Sequence, residues 1–110
     1  MVVDSWPDRG DLFVAISTFV VANEKDDDVH AAFLERPHLV DDAEGFVRME
    51  VLRNIEEPKE FWLLTYWTDQ TSYEQWHRGH TYKASHVGMP AGLKLVPRSA
   101  KVRRLARISE

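Results

Sequence analysis

Apolar residues in this chain fall into four runs of strand character, separated by two stretches of helical spacing. Leu12–Val21 (LFVAISTFVV) is apolar and β-branched along most of its length. Side chains alternate along a strand, so Leu12, Val14 and Ile16 face one way and Phe13, Ala15 and Phe19 the other. A strand apolar on both sides reads as one covered on both sides. Asn23-Glu24-Lys25 is a turn, and Asp26, Asp27 and Asp28 stand where acids complement the positive end of a helix dipole. Val29, Ala32, Phe33, Arg36, Leu39 and Val40 follow at about i, i+3, i+4, i+7. They predict a helix from about Asp27 to Asp41, kinked or interrupted at Pro37. Gly45 ends that stretch. Phe46–Arg53 and Glu60–Thr68 are a second and third strand, joined as a hairpin through Glu56-Glu57-Pro58-Lys59. Asp69 is placed to cap a helix over Gln70–His77, which Gly79 breaks, and a short helical turn is expected over Thr81–His86. Gly88-Met89-Pro90-Ala91-Gly92 forces a loop before the last strand, Lys101–Ile108.

The order β-α-β-β-α-β predicts an α+β, ferredoxin-like fold with two helices on one side of a four-stranded antiparallel sheet. Such a sheet leaves one face bare. Here the strands are apolar on both faces, with Phe61 and Leu63 set against Trp62 and Leu64 as well. The economical cover for the second face is another copy packed sheet to sheet, so a homodimer is expected. At 110 residues the chain is one domain, taken as 12–110 after an N-terminal extension, 1–11. The extension is acidic and broken by Pro7 and Gly10, without the basic-then-apolar layout of a signal peptide.

A net charge of −4 gives no general attraction to nucleic acid or membrane surfaces, and no apolar run is long enough to span a bilayer. The absence of cysteine excludes disulfides, thiolate ligands and a cysteine nucleophile, and is compatible with the cytoplasm, the location expected. Charge is uneven. Acids crowd Asp26–Asp28 and Asp41–Glu44, while Lys94, Arg98, Lys101, Arg103, Arg104 and Arg107 face only Glu110 at the end. Those cations suit an edge strand that must discourage pairing; an anion-binding surface is the alternative.

The densest chemistry lies in Ser72–His86 (SYEQWHRGHTYKASH), where Tyr73, His77, His80 and Tyr82 surround Trp76 and His86. A wide aromatic among imidazoles suits the wall of a pocket for a flat, apolar ligand. Trp76 is either a core position of an amphipathic helix or a pocket wall, whose N–H could donate to a ligand oxygen or to dioxygen. His86 is a surface or capping histidine, a metal ligand, or a base for a phenolic proton, its ordinary pKa of about 6.5 suiting that work. His77 and His80 do not read as a metal pair, because Gly79 lies between them and no carboxylate stands at matching spacing. Tyr82 could donate to a phenolic or peroxy oxygen, and Arg78 and Lys83 read as rim cations. No phosphate-binding glycine loop and no nucleophile elbow occurs, so flavin or nicotinamide held through a nucleotide motif is not indicated.

The strand FVAIS, the segment EGFVRMEVLRN, the run LTYWTDQTSYEQW and the trailing YKASH resemble the antibiotic biosynthesis monooxygenase family of dimeric α+β barrels, over about Leu12–Ile108. The most specific part is Trp67–His86, close to the family's W-x-S-x-x-x-F-x-x-W…F-x-x-x-H pattern, with Asp69 at the usual serine and Tyr73 and Tyr82 at the aromatic positions. The resemblance implies one of two chemistries. One is cofactor-independent oxygenation of a polycyclic phenol, with dioxygen as co-substrate. The other is heme binding or degradation, with a first-strand Asn, a helix Trp and a His on the iron. Trp76 and His86 match the last two, and Arg78 would meet a heme propionate. The first-strand position falls on Ser17, whose hydroxyl is shorter than an amide and cannot present the same donor and acceptor pair. Asn23 lies in the turn after the strand. The expectation is therefore a monooxygenase with Ser17, Trp76, Tyr82 and His86 at its site, needing no cofactor or else heme. A non-enzymatic dimeric ligand-binding protein is the alternative from another class.

Overall fold

Strands form where the alternation places them. The computed structural model describes residues 12–35, 39–79 and 89–109. In chain order these carry β1 (Phe13–Val20), α1 (Asp26–Leu34), a 3-10 turn (Leu39–Asp42), β2 (Phe46–Arg53), β3 (Glu60–Trp67), α2 (Gln70–Arg78) and β4 (Lys101–Ala106). The four strands make one antiparallel sheet in the order β2-β3-β1-β4. This is the ferredoxin-like α+β arrangement, with the N-terminal strand at the centre and the basic C-terminal strand at an edge.

The first helix is shorter than its periodicity predicts. It stops at Leu34, and the Glu35 amide closes it by donating to the carbonyls of Ala31 and Ala32, 3.2 Å each. A residue before proline is pushed out of the α region, and Pro37 follows closely in sequence. Leu39–Asp42 form a 3-10 turn, where Val40 is buried. The helical turn expected over Thr81–His86 lies outside the described residues. β4 ends at Ala106, two residues early, although the Arg107 amide still donates to the Leu12 carbonyl at 2.8 Å.

Both helices are pinned at their N-termini. Asp69 caps α2 by accepting the Ser72 amide at 2.7 Å, the role expected of it. At α1, Asp26 accepts from Arg53 at 2.7 Å and from Lys59 at 3.2 Å, which ties the helix start to the β2–β3 hairpin. Arg53 also donates to the Pro58 carbonyl at 2.6 Å.

Strand register sorts the side chains on the helix-bearing face into rows across the sheet. Phe46, Trp67, Phe13 and Ala106 form one row; Met49, Thr65, Ala15 and Arg104 the next; then Val51, Leu63, Ser17 and Val102; and last Arg53, Phe61 and Phe19. Two core clusters sit on this face. Tyr73 and Trp76 of α2 pack with Phe13, Ala15, Val40 and Trp67 over the first two rows. Val29 and Phe33 of α1 pack with Phe19, Val21 and Phe61 over the last.

The opposite face carries Val14, Ile16 and Leu64 at its centre, flanked by Trp62, Tyr66, Leu52 and Leu105. Leu52 and Leu105 are about half exposed. Apart from Glu60 at the start of β3, charges keep to the outer strands, with Arg48 and Glu50 on β2 and Lys101 and Arg103 on β4. The polar ends of the two large aromatics are satisfied in place. Tyr66 donates to Glu50 at 3.0 Å and lies under the Arg48 guanidinium, and the Trp62 indole donates to Glu60 at 2.7 Å.

Candidate functional site

The third row, Val51–Leu63–Ser17–Val102, lies between the footprints of the two helices. Its members belong to neither core cluster. Val51, Leu63 and Ser17 are half-buried and Val102 is 42% exposed. The row is thus a half-buried apolar strip between the two core clusters, here termed the trough, with a single hydroxyl, Ser17, at its middle. The core clusters account for it: the apolar side chains of α2 pack over the first two rows and those of α1 over the last.

The wall toward α2 is aromatic and rigid, and it stands beyond the Met49–Thr65–Ala15–Arg104 row, which separates it from the trough. Trp67 is fully buried, edge-on to Phe46 (5.5 Å, 79°) and Tyr73 (5.7 Å, 70°) and tilted against Trp76 (5.6 Å, 38°). Its indole donates to the Thr65 hydroxyl at 2.9 Å, which donates in turn to the Ala15 carbonyl at 3.5 Å. The wall is therefore anchored through hydrogen bonds to the central strand as well as by packing. Trp76 packs on Trp67 and also lines a shallow concavity of about 220 Å³ with Ala43, Glu44, Ser72, Gln75 and Gly79, apart from the trough row. That concavity is smaller than the roughly 300–1,000 Å³ typical of small-molecule sites.

The depth at which α2 sits is set by Gly45. This residue has φ +80°, its carbonyl accepts the Thr68 amide at 2.8 Å, and a Cβ here would run into the Ser72 side chain on the first turn of α2. Asp69, which caps that turn, has its carboxyl held below the usual carboxylate range, chiefly by the Ser72 amide.

The expected site residues are distributed as follows. Ser17 is on β1 in the trough row, Trp76 on α2 in the aromatic wall, and Arg78 exposed on the last turn of α2. His77 stacks its ring 5.5 Å from Tyr73. Asn23 lies away from the trough, its amide donating to the Gly92 carbonyl at 2.9 Å. Tyr82 and His86, with His80 and Lys83, lie outside the described residues. Sequence reasoning did not name Leu63, Val51 and Val102 as site residues. The signal for Leu63 was its parity with Ser17 across β1 and β3; for Val51 and Val102 it needed the register.

The row supplies an apolar floor for a porphyrin but, among the described residues, no nitrogen or sulfur ligand for its iron. Those residues do not by themselves make a heme site.

A four-stranded antiparallel sheet with two helices on one face defines a ferredoxin-like α+β domain. The chain belongs to the antibiotic biosynthesis monooxygenase family, whose model matches residues 12–87. Among solved structures it is similar to the heme-degrader MhuD of Mycobacterium tuberculosis, solved with two hemes bound in its active site (TM-score 0.72, 20% identity, 89% of this chain and 97% of that one). It is also similar to SnoaB of Streptomyces nogalater, a cofactor-independent oxygenase (0.68, 14%, 87% and 92%). A conserved protein of Methanosarcina mazei Go1 is likewise similar (0.68, 16%, 86% and 91%). At such identities the likeness is one of fold. No curated protein sequence matches the chain significantly. Among the described residues no helix is long and apolar enough to cross a membrane, and no cluster of side chains could hold a metal ion.

Proposed function

We propose that the protein is a monooxygenase that binds a planar, phenolic or polycyclic aromatic molecule in the trough between α2 and the sheet and uses neither flavin nor nicotinamide. The observation that carries this reading is the row Val51–Leu63–Ser17–Val102, half-buried and apolar, one row of side chains away from the tilted pair Trp67 and Trp76. A flat ring laid on that row buries one face against apolar atoms. The Ser17 hydroxyl then offers one hydrogen bond to a phenolic oxygen, enough to fix orientation. His86 as base and Tyr82 as donor would complete the proton transfers, and the deprotonated substrate would itself supply electrons to dioxygen. The working form is a homodimer joined through the second sheet face, whose apolar centre and charged outer strands suit a copy of itself.

The test is oxygen uptake by the purified protein with a hydroxyanthrone, without added cofactor, beside a hemin titration followed optically. Phenol-dependent oxygen consumption that falls in Trp76→Ala is the expected result. A hemin Soret band lost in His86→Ala, with no uptake on the phenol, would move the protein to the heme-binding branch. Ligand-dependent stabilisation with neither signal would make it a binding protein.

A further inference from the structure

Two arginines lie on the helix-bearing face, and their surroundings differ. Arg53, under α1, is committed to Asp26 (2.7 Å), Asp27 (3.1 Å) and the Pro58 carbonyl (2.6 Å). Arg104 stands on β4 opposite Ala15, one step along the strand face from Val102 and diagonal to Ser17. Diagonal neighbours of this kind are about 7–8 Å apart, within reach of a long side chain. Its carboxylate partner is Glu74 of α2, at 3.5 Å through Nε alone, and its guanidinium lies 5.9 Å from the Tyr73 ring centroid. Arg104 therefore bridges α2 and the edge strand at the rim of the trough. A single Nε contact leaves its Nη donors available to a second acceptor, and both partners are partly exposed, at 45% and 30%.

We propose that Arg104 is the acid-recognising residue of the trough, selecting planar aromatic ligands that carry a carboxylate. This rests on the trough reading above and adds a ligand class to it. The ring lies on Leu63, Ser17 and Val102, and the carboxylate takes the guanidinium in the two-pronged geometry that arginine offers and lysine does not. Glu74 acts as the resident counter-ion. It holds Arg104 toward α2 when no ligand is present and competes with the ligand's acid group. The basic character of the C-terminal segment, otherwise explained as edge protection, acquires a specific task at this one position.

The experiment compares anthracene-9-carboxylate with the uncharged 9-anthracenemethanol, both titrated against the full-length chain by tryptophan quenching. Wild type should prefer the acid by about tenfold, as a charge-assisted hydrogen bond provides. Arg104→Gln should remove the preference while leaving the alcohol's affinity within twofold, and Arg104→Lys should restore only part of it. Glu74→Gln should strengthen binding of the acid and leave the alcohol unchanged, an effect that a purely structural Arg104–Glu74 pair would not produce. Alcohol binding with no preference for the acid overturns the Arg104 assignment and leaves the trough standing. A preference that survives Arg104→Gln overturns it too. Binding of neither probe removes both readings.

Discussion

Gly45→Ala should be among the most damaging single-methyl changes in the chain, and its cost can be divided into two parts. The first is conformational. At φ +80° a side chain meets the backbone, at a cost of roughly 1–2 kcal/mol. The second is steric. The new Cβ would collide with the Ser72 side chain and come within 2.9 Å of Thr68 Oγ1, and overpacking of this kind costs about 1–3 kcal/mol. Gly92 is an internal control, because it has φ +78° but nothing within 4 Å of its missing Cβ. Gly92→Ala should therefore show the first part only. For a domain of this size each kcal/mol moves the melting temperature by roughly 4–8 °C, so the two variants should separate by several degrees in thermal unfolding. Adding Ser72→Gly to Gly45→Ala should recover the steric part, less about 1 kcal/mol for glycine inside a helix. Trp76 lies one turn after Ser72, so near-ultraviolet circular dichroism of Gly45→Ala should show a loosened Trp67–Trp76 pair. Equal melting temperatures for the two alanine variants, or no recovery on removing Ser72's side chain, would refute the claim that Gly45 sets the seat of α2.

Four further outcomes are expected. Stability should be flat above about pH 5 and fall steadily below about pH 4. Three carboxyls sit lower in the folded state: Asp26, where desolvation pushes upward but the Lys59 hydrogen bond and the Lys59 and Arg53 charges prevail; Glu60, through the Trp62 indole and Asn54; and Asp69, through the Ser72 amide. A carboxyl lowered on folding stabilises above its unfolded pKa and loses that contribution as pH falls through its folded pKa, so an unchanged urea midpoint at pH 3 would contradict this. Asp69→Ala should cost roughly 1 kcal/mol in urea unfolding through loss of the α2 cap, with Asp69→Ser recovering most of it. Leu64→Arg, at the centre of the second sheet face, should halve the sedimenting mass with the far-ultraviolet spectrum intact, and a wild type already monomeric at micromolar concentration would dismiss the sheet-face dimer. Ser17→Val should weaken a hydroxyanthraquinone by roughly tenfold, the worth of one hydrogen bond, without affecting the unhydroxylated parent.

Strands were the most legible part of the chain, and the reason is physical. A two-residue period bounded by Gly45, Pro58 and Asp69 leaves little choice of element, and β2 runs over Phe46–Arg53 as expected. Helix α1 was less legible. Its apolar spacing continues to Val40, and Val40 is buried, but the chain reaches that burial through a 3-10 turn. Periodicity reports which residues want cover and is silent on whether the backbone between them stays α-helical. Pro37 is the sequence signal for that change, the place where a kink or interruption is expected.

The candidate site divides in the same way. Ser17 shares parity with Phe13, Ala15 and Phe19, so β1 alone puts it on their face, and the packing of both helices on that face makes it the helix-bearing one. Trp76 could be placed on the buried side of α2 by its spacing from Tyr73. The row on which Ser17 sits could not be foreseen, because it depends on pairing offsets between strands far apart in sequence. The clearest instance is β4. Its sequence KVRRLA puts Val102 and Arg104 on one side and Arg103 and Leu105 on the other, and either pair could have faced the helices. Only the pairing of Arg104 with Ala15 sends that guanidinium toward Glu74 and Tyr73 and sends Arg103 to the opposite face. Composition shows a basic edge. Register decides which one of its cations stands beside the trough, and that choice is what turns a solubility feature into a candidate determinant of ligand class.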